Sequence, residues 1–596
     1  MIDIYYLKNN YKPFFKDLEE LGICHAQNYV PIYSLFFSLN EKNYNSINLN
    51  HKFTIHNIKE KLTDNIYKVN ITKKQGQENS LENEKEVLSF FKFSPLLDPI
   101  KYMVGKYSKK DKTNQDENQE SNILENYLPR LNNSKHLNKK IKDTNNSAYI
   151  DSFFYYLSSK TLENHGFIHG NDFYGSFIGI KKNFIYNIID DVDYLMDSDF
   201  FEKNNEKLFL TQNLNEFTEY MGDTRSNRKK ISMQGEDVEL NIKTIKEDVY
   251  EGIFELTEDN LSTFNKLSSM SVDTVFEAEN TTTNDEPRNK SNKLSESSSS
   301  VCSSRSSNTD NIEIKDDIST DSESVDIDSE SSSSSEESEE ELNSIIYDFP
   351  VQMICLEKLD DTLDSLMELE EDDELEDNHW TSCLFQIIMM LITYQKMFDF
   401  THNDLHTNNV MFKKTDKKYL IYKYNNVYYK VPTFGRIFKI IDYGRSIYKF
   451  KGKLFCSDSY CSKGDAASQY NFGPYVNKNK PTLLPNKSFD LCRLGCSLFD
   501  YFVEDLDDID SYDDPLTKLV INWCMDDKGR NILYKNNGEE RYPDFKLYKM
   551  ITRSVHNHIP EKQLDNPLFY KYITTRKKIR KKTKVINIDE MPVYSN

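Results

Sequence analysis

The sequence predicts an α+β protein whose first part is rich in strands and whose second part is mostly helical, with long disordered insertions. Three observations support this fold class. Short runs of β-branched and aromatic residues dominate the chain before residue 264. Residues 264–345 keep almost no apolar periodicity, so they cannot bury enough surface to offset the entropy of ordering. In Trp380–Phe398 and again from Lys487 onward, apolar side chains recur at helical spacing.

The strand-rich first part contains four segments of strand-like composition and one helix-like segment. The predicted strands are residues 28–39, 65–71, 86–94 and 175–188. Between them, the segment AYIDSFFYYLSSKTL (residues 148–162) places Ile150, Phe153, Phe154 and Leu157 at i, i+3, i+4 and i+7. That spacing puts four apolar side chains on one face of a helix, so we expect one packed helix among the strands.

The second part shows a different order of elements. The predicted elements are a strand at 350–359, a helix at Trp380–Phe398, a hairpin at 420–434, a short strand at 438–444 and helices from Lys487 onward. The hairpin prediction depends on Asn425 and Asn426, because this dipeptide suits a two-residue turn and separates the runs YLIYKY and VYYKV. The second part is therefore expected to be mostly helical.

Composition divides the chain into four regions. Residues 1–263 form the strand-rich part, with a polar insertion near 108–147. Residues 264–345 are the Ser- and acid-rich insertion, which is predicted to be disordered. Residues 346–573 form the second structured part, and residues 574–596 form a basic C-terminal tail that begins TTRKKIRKKTK.

Charge and cysteine usage limit the classes of partner and compartment. The formal net charge is −22, from 75 Lys+Arg against 97 Asp+Glu, so we expect no nucleic-acid partner. The nine cysteines form no C-x-x-C pair and no zinc-type array, which suits a reduced intracellular compartment. The longest apolar run, residues 384–392, is shorter than the ~20 residues that span a bilayer, so no transmembrane segment is predicted.

A cluster of polar side chains lies between two apolar runs in the stretch FTHNDLHTNNVMF, residues 400–412. A predicted helix ends before it, His402 and Asp404 follow, and Asn409 comes five positions after the aspartate. A loop of this length lets a carboxylate and an amide face one cleft. An Asx-rich turn is the structural alternative.

Two further motifs follow in order along the chain. The stretch KIIDYGRS contains Asp442, Tyr443 and Gly444, a D-x-G motif at the end of a predicted strand. The stretch SFDLCRLGCSLFDYF contains Asp490 and Gly495 in a D-x-x-x-x-G pattern. A strand-end turn and a helix N-cap are the structural explanations of these two motifs in isolation. Their order, together with the polar loop, makes the three motifs support one another.

The three motifs together resemble the protein-kinase superfamily, and the polar inserts with the HNDLH loop resemble the divergent serine/threonine kinases of large DNA viruses. The resemblance implies a bilobal kinase-like fold with a strand-rich N-lobe and a mostly helical C-lobe. It implies transfer of the γ-phosphoryl group of ATP, with Mg²⁺, to a serine or threonine hydroxyl of a protein substrate. A monomer is expected, in the host cytoplasm or the virion if the chain is viral.

The resemblance assigns roles to the motif residues. Asp404 would be the catalytic base, and Asn409 and Asp442 would be the Mg²⁺ ligands. His402 would support the D-x-G turn. Asp490 would brace the backbone of the catalytic loop.

The kinase resemblance also requires a strand lysine that contacts the α/β-phosphates and an acidic helix residue that positions it. We assign the lysine to Lys92 in VLSFFKFSPLLDP, with Lys101 as the runner-up, and the acid to Asp151. Lys92 has an alternative explanation as a surface residue of an aromatic strand, and Asp151 as an ordinary acid near a helix N-terminus. The residues from Glu357 to Leu359 would form the hinge, whose backbone groups contact the adenine edge.

Several features depart from the family pattern and keep other functions open. No G-x-G-x-x-G motif occurs near the N-terminus, which leaves a pseudokinase scaffold as one alternative. Asn403 replaces the usual arginine, so control by activation-loop phosphorylation is not expected. His406 lies where protein kinases mostly carry lysine, and D-L-H-x-x-N also occurs in kinases of small molecules such as aminoglycosides. A small-molecule kinase is therefore the second alternative.

Overall fold

The computed structural model of the protein describes residues 2–8, 11–73, 84–108, 126–132, 136–211, 342–369, 375–506 and 509–596. The chain divides into two units, and the smaller one, Arg228–Ser300, lies entirely outside these ranges. All elements below belong to the larger unit. The predicted disorder over 264–345 also lies outside the described residues, except at its end, where a strand begins at Asn343.

An antiparallel sheet of seven strands dominates the first part of the chain. The first nine strands are β1 (Tyr6–Lys8), β2 (Ile23–Gln27), β3 (Ile47–Leu49), β4 (Phe53–Lys61), β5 (Ile66–Lys73), β6 (Glu84–Pro95), β7 (Phe173–Asn187), β8 (Phe209–Thr211) and β9 (Asn343–Glu357). The order in the sheet is β2-β7-β9-β6-β5-β4, and β8 also pairs with β9. β1 and β3 form a separate two-stranded sheet.

Sequence reasoning located four of these nine strands and was wrong at residues 28–39. The predicted strands at 65–71, 86–94, 175–188 and 350–359 correspond to β5, β6, β7 and β9. Residues Pro31–Leu35 instead form a 3-10 helix. The proline fixes a φ angle that suits the first helical position, and the aromatic run then packs inward, with Phe36 stacked on Phe153 at 5.0 Å. Strands β2 and β4 were not predicted.

Eleven α-helices lie in the part of the chain that the structure describes. They are α1 (Lys12–Glu20), α2 (Pro99–Met103), α3 (Lys139–Lys142), α4 (Ser147–His165), α5 (Val192–Met196), α6 (Asp199–Asn204), α7 (Asp377–Phe398), α8 (Phe489–Phe502), α9 (Pro515–Trp523), α10 (Phe545–Ser554) and α11 (Pro560–Gln563). The predicted helices at 148–162 and Trp380–Phe398 are α4 and α7. Asn146 caps α4 by accepting a hydrogen bond from Ala148 N–H, and the helix ends at Gly166 in the left-handed region.

The second part contains short strands as well as helices. They are β10 (Asp361–Thr362), β11 (Val410–Lys414), β12 (Tyr419–Tyr424), β13 (Val427–Pro432), β14 (Arg436–Ile440), β15 (Ile447–Phe450), β16 (Lys453–Cys456), β17 (Ile573–Thr574) and β18 (Ile586–Asn587). The predicted hairpin is β12–β13, and both turn residues, Asn425 and Asn426, have positive φ. The fold is mixed α+β in both parts.

The basic C-terminal tail packs against the rest of the chain. β17 pairs with β13 and β18 pairs with β12, so the tail completes a four-stranded sheet around the hairpin. Near the end of the chain, Tyr594 Oη accepts a hydrogen bond from Ile2 N–H at 2.7 Å. The side chains of Ile588 and Tyr594 are buried. The tail therefore contributes to the folded structure despite its charge.

One large hydrophobic core joins the central helices to the strands around them. Phe154 of α4 stacks on Phe400 at 4.4 Å between ring centroids and contacts Tyr394 and Phe398 of α7. Because α7 is buried almost all round, it lies inside the core rather than on its surface. Among the described residues, no helix is long and apolar enough to cross a membrane.

Candidate active site

Lys92, Asp151 and Asp442 meet at one point although they come from distant parts of the sequence. Lys92 Nζ lies 2.7 Å from Asp151 Oδ2 and 2.9 Å from Asp442 Oδ1. Asp151 is almost fully buried, whereas the side chain of Asp442 is 47% exposed and open to a ligand. The structure thus brings together the predicted lysine, its acidic partner and the aspartate of the D-x-G motif.

The secondary structure explains how Lys92 reaches this position. Lys92 lies on β6, opposite Ile354 of β9, so its strand is paired on both sides within the sheet. Asp151 lies in the first turns of α4, whose apolar residues pack in the core. The runner-up, Lys101, lies elsewhere, bonded to Asp98 and to the carbonyl oxygen of Lys463.

Desolvation and charge act in opposite directions on these three groups. Burial acts to lower the pKa of Lys92, but the carboxylates of Asp151 and Asp442 outweigh it, and the pKa rises above its ordinary value. Desolvation acts to raise the pKa of Asp442, but the Lys92 ammonium outweighs it and lowers that pKa to about 2. Burial raises the pKa of Asp151 in spite of Lys92. Asp442 is therefore the carboxylate held most firmly in its ionised form.

Helix α4 also fixes the backbone of the D-x-G turn. Asp151 Oδ1 accepts a hydrogen bond from Tyr443 N–H at 2.8 Å, and Tyr155 Oη accepts one from Asp442 N–H at 2.8 Å. Tyr443, at the position where kinases usually have phenylalanine, is fully buried, and its hydroxyl donates to Ile440 O at 2.6 Å. A shift of α4 would therefore move the backbone that sets the direction of the Asp442 side chain.

The buried carboxylate of Asp490 hydrogen-bonds to the backbone of the polar loop that contains His402. Asp490, in the first turn of α8, accepts hydrogen bonds from His402 N–H at 2.9 Å and Asn403 N–H at 2.8 Å. His402 Nε2 donates to Ile441 O at 2.9 Å, next to the D-x-G turn. Asn403 is buried and accepts a hydrogen bond from Tyr470 at 2.6 Å. His402 thus contacts the segment before the D-x-G turn, and Asp490 bonds to the backbone of the polar loop.

The amide nitrogen of Asn409 makes two contacts within the polar loop. Its Nδ2 donates to the backbone oxygen of Asp404 at 2.9 Å and contacts His406 Nε2 at 3.0 Å. Burial lowers the pKa of His406 to about 4, so the ring is neutral near pH 7 and can accept this hydrogen bond. Since the nitrogen is engaged, the amide oxygen is the atom that can bind a cation. Together with Asp442 it offers the hard oxygen donors that Mg²⁺ prefers.

The Asp404 side chain has partners that sequence reasoning missed. Asp404 Oδ1 accepts a hydrogen bond from Tyr548 Oη at 2.7 Å, and Arg445 Nη1 lies 3.8 Å from the same oxygen. Arg493 Nε donates to the Tyr548 hydroxyl at 3.0 Å. Arg445 directly follows the D-x-G motif, and Arg493 lies inside the D-x-x-x-x-G motif. Both arginines could therefore have been found from their places in these motifs. Tyr548 carries no local signal, because it is 144 positions from Asp404.

The segment after the D-x-G turn is tied to the start of α4. Asp458 N–H donates to Asn145 O at 2.7 Å. The Asp458 carboxylate accepts hydrogen bonds from Ser147 N–H at 3.0 Å and from Lys140 Nζ at 2.5 Å. Because Ser147 is the first residue of α4, this contact positions the helix that carries Asp151.

Glu357 and Leu359, the two ends of the predicted hinge, differ in their surroundings. Leu359 is buried just after the end of β9. The Glu357 carboxylate bonds to Lys439 and Lys413 and accepts a hydrogen bond from Asp172 N–H at 2.9 Å. Burial acts to raise the pKa of Glu357, but the two lysines outweigh it and lower the pKa to about 2. The side chain of Glu357 therefore has a structural role, and its backbone N–H donates a hydrogen bond to Asp172 O at 3.0 Å.

We expect the substitution Glu357→Gln to lower the free energy of unfolding by about 3 kcal/mol at pH 7, because it leaves the buried Lys439 ammonium without its carboxylate. The pKa of Glu357 is depressed in the folded state, so its contribution is complete above about pH 4.5 and is lost as the pH falls towards 2. Urea unfolding at pH 7 and at about pH 3 measures both effects.

The matched control for this prediction is Glu163→Gln, since Glu163 pairs with Lys160 but is 29% exposed. It should change stability by less than about 1 kcal/mol. An equal loss in both variants, or a Glu357→Gln deficit that grows as the pH falls, would contradict the assignment.

Comparison with known proteins finds partial similarity to kinases. No protein-family model matches the chain. A probable serine/threonine-protein kinase of Dictyostelium discoideum is 36% identical over 112 residues, which cover 17% of this chain and 9% of that protein. The serine/threonine-protein kinase haspin of Mus musculus is 35% identical over 105 residues, 16% of this chain and 14% of haspin.

A viral protein is also similar over a longer stretch. An uncharacterized protein of invertebrate iridescent virus 6 is 27% identical over 181 residues, which cover 29% of this chain and 26% of the viral protein. The chain thus covers about a quarter or less of the length of each of these three relatives. The similarity to serine/threonine kinases is real but partial.

Proposed function

We propose that the chain is an ATP- and Mg²⁺-dependent protein serine/threonine kinase with a bilobal kinase fold. One observation carries the proposal: Lys92 bridges Asp151 and Asp442, beside the loop that holds Asp404 and Asn409. These five groups come from a strand, a helix and two loops, and packing of the core does not by itself require them to meet. The partial similarity to two serine/threonine kinases supports the same reading.

The N-lobe of the proposed kinase consists of the seven-stranded sheet and α4. In protein kinases a strand lysine contacts the nucleotide phosphates and pairs with an acidic residue on the following helix. Lys92 on β6 and Asp151 on α4 stand in this relation. Asp151 has a shorter side chain than the usual glutamate, yet the 2.7 Å distance to Lys92 is that of a full ion pair.

Asn409 and Asp442 would hold the metal ion in this arrangement. When bound there, Mg²⁺ would supply positive charge that neutralises the nucleotide phosphates. The Asp442 carboxylate is ionised and accessible, and the Asn409 amide oxygen is oriented by the bonds that its nitrogen makes. Among the described residues, no group of three or more His, Cys, Asp or Glu side chains is placed to hold a metal ion. The remaining ligands would therefore be phosphate oxygens and water.

Asp404 would act on the acceptor hydroxyl. Its carboxylate lies on the same loop as Asn409 and would accept the proton of a serine or threonine hydroxyl as the phosphoryl group is transferred. Since protein groups contribute mainly positioning and electrostatics to this reaction, the fixed loop matters as much as the base itself.

The parts of the N-lobe that differ from other kinases set limits on nucleotide binding. The turn between β4 and β5 has the sequence LTDN, without glycine, so a stiff hairpin would cover the phosphates. The backbone of Glu357–Leu359 would contact adenine, joining the N-lobe to a C-lobe formed mainly by α7 to α11. Compared with a kinase that has a glycine-rich loop, we expect the nucleotide to bind more weakly or to exchange more slowly.

The proposal predicts a stabilising shift with Mg²⁺-ATP. Nucleotide at about one hundred times its dissociation constant should raise the free energy of unfolding by about 2.7 kcal/mol, because it binds only the folded state. Thermal unfolding of the wild type with ATP, with and without Mg²⁺, measures this effect. No shift under either condition would favour a scaffold without nucleotide binding.

Transfer assays with radiolabelled ATP separate a protein kinase from a small-molecule kinase. We expect label on serine or threonine of protein substrates. His406 gives the small-molecule alternative its support, because it lies beside Asn409 where a cationic lysine is usual. Transfer to an aminoglycoside or sugar but to no protein would support that alternative instead.

A further inference from the structure

Tyr548 occupies an unusual position beside the proposed catalytic base. Its hydroxyl lies 2.7 Å from Asp404 Oδ1, and its ring lies under two guanidinium groups. The Cζ atom of Arg445 is 5.5 Å from the ring centroid, and that of Arg493 is 5.3 Å away. All four side chains are buried, with Asp404 only 6% exposed. None of the roles assigned to the motif residues accounts for this tyrosine.

The direction of the Tyr548 proton follows from its two partners. Arg493 Nε can only donate a hydrogen bond, so it donates to the phenol oxygen at 3.0 Å. Asp404 Oδ1 accepts the hydrogen bond from the phenol hydroxyl, so the phenol proton points at this oxygen. Burial raises the pKa of Tyr548, so the phenol keeps its proton throughout the physiological range. The hydroxyl is thus a fixed donor to one oxygen of Asp404.

We propose that Tyr548 is a positioning residue for phosphoryl transfer: it holds Oδ1 of Asp404 and thereby directs Oδ2 at the acceptor hydroxyl. This inference rests on the proposed kinase function. Helix α10 supplies Tyr548, and its cation–π contacts with Arg445 and Arg493 keep the ring in place. The carboxylate then needs no reorientation when the substrate arrives, which is how a preorganised site lowers the barrier.

The substitution Tyr548→Phe tests the role of the hydroxyl, because it keeps the ring and removes a single oxygen. We expect kcat to fall about tenfold to a hundredfold, which corresponds to one hydrogen bond to a charged group, while KM for ATP stays within about twofold. The matched control is Tyr534→Phe, whose hydroxyl donates to Asp500 at 2.8 Å near the other end of α8. That variant should keep the wild-type kcat.

A double-mutant cycle separates positioning from general support of the fold. In an Asp404→Asn background, Tyr548→Phe should lower kcat little further, because the tyrosine acts through the carboxylate. Multiplicative losses in the double variant would overturn the proposal, as would an unchanged kcat in Tyr548→Phe. A raised kcat would also overturn it, since the tyrosine would then block the base.

Two further outcomes remain distinguishable. If the wild type transfers no phosphate, the proposed function itself fails, whereas a wild-type rate in Tyr548→Phe defeats only the role of the tyrosine. Should Tyr548→Phe not fold, Arg493→Lys replaces it, since this change keeps the cation but shifts the donor that orients the phenol. We then expect kcat to fall about fivefold with an unchanged KM for ATP, and an unchanged kcat would count against the proposal.

Discussion

The Asp404→Asn variant is expected to lose about a thousandfold in kcat for phosphoryl transfer while it binds Mg²⁺-ATP as tightly as the wild type. The amide can still accept the hydrogen bond from Tyr548, so the loop should keep its shape. It can no longer take the proton of the acceptor hydroxyl. Steady-state kinetics for transfer, combined with the nucleotide-dependent thermal shift, measures the two quantities separately.

The control for this change is Asp399→Asn, at the residue that directly precedes the polar loop. Asp399 ends α7 in the left-handed region, which asparagine adopts well, and it pairs with Lys449 and Lys487 at the surface. Its loss should leave kcat unchanged. If Asp404→Asn retained a wild-type kcat, the carboxylate would have no role in transfer.

The second large effect is expected for Lys92→Met, which removes the cation shared by Asp151 and Asp442. We expect the Mg²⁺-ATP thermal shift to disappear, because the phosphates lose their lysine and two carboxylates are left facing each other. The free energy of unfolding at pH 7 should also fall by about 2 kcal/mol, mainly through the buried Asp151. Urea unfolding and thermal shift give these values.

The pH dependence of Lys92→Met has a definite sign. In the wild type the lowered pKa of Asp442 contributes stability above about pH 3.8, which is lost as the pH falls through about 2. The deficit of the variant should therefore be largest near pH 7 and shrink in acid. Lys101→Met, which removes a pair with Asp98 away from the site, should keep the nucleotide shift. A retained shift in Lys92→Met would assign the phosphate contact to another residue.

The motifs could be found in the sequence because each is local, and the roles assigned to their residues stay predictions. Asp404 and Asn409 lie on one loop, where the Asn409 amide nitrogen donates to the Asp404 backbone oxygen. The meeting of Lys92 with Asp151 depends on tertiary structure, so the sequence could only rank Lys92 ahead of Lys101. The pairing of β6 with β9 and the packing of α4 bring Lys92 to Asp151, whereas Lys101 pairs with Asp98.

Other features could not be predicted because their causes are not local. Tyr548 reaches Asp404 across 144 positions through the packing of α10, which no spacing rule encodes. The run at 28–39 has strand-like composition, but Pro31 and the contact of Phe36 with α4 give it a helical turn. The basic tail pairs with β12 and β13, a long-range contact that its composition does not predict.

The most direct test of the account is the position of a metal–nucleotide complex in a crystal grown with Mn²⁺ and a non-hydrolysable ATP analogue. We expect an anomalous peak about 2.1 Å from an oxygen of Asp442 and from the amide oxygen of Asn409, with Lys92 facing the phosphates. A nucleotide bound elsewhere, or a metal ion that contacts neither Asp442 nor Asn409, would contradict it.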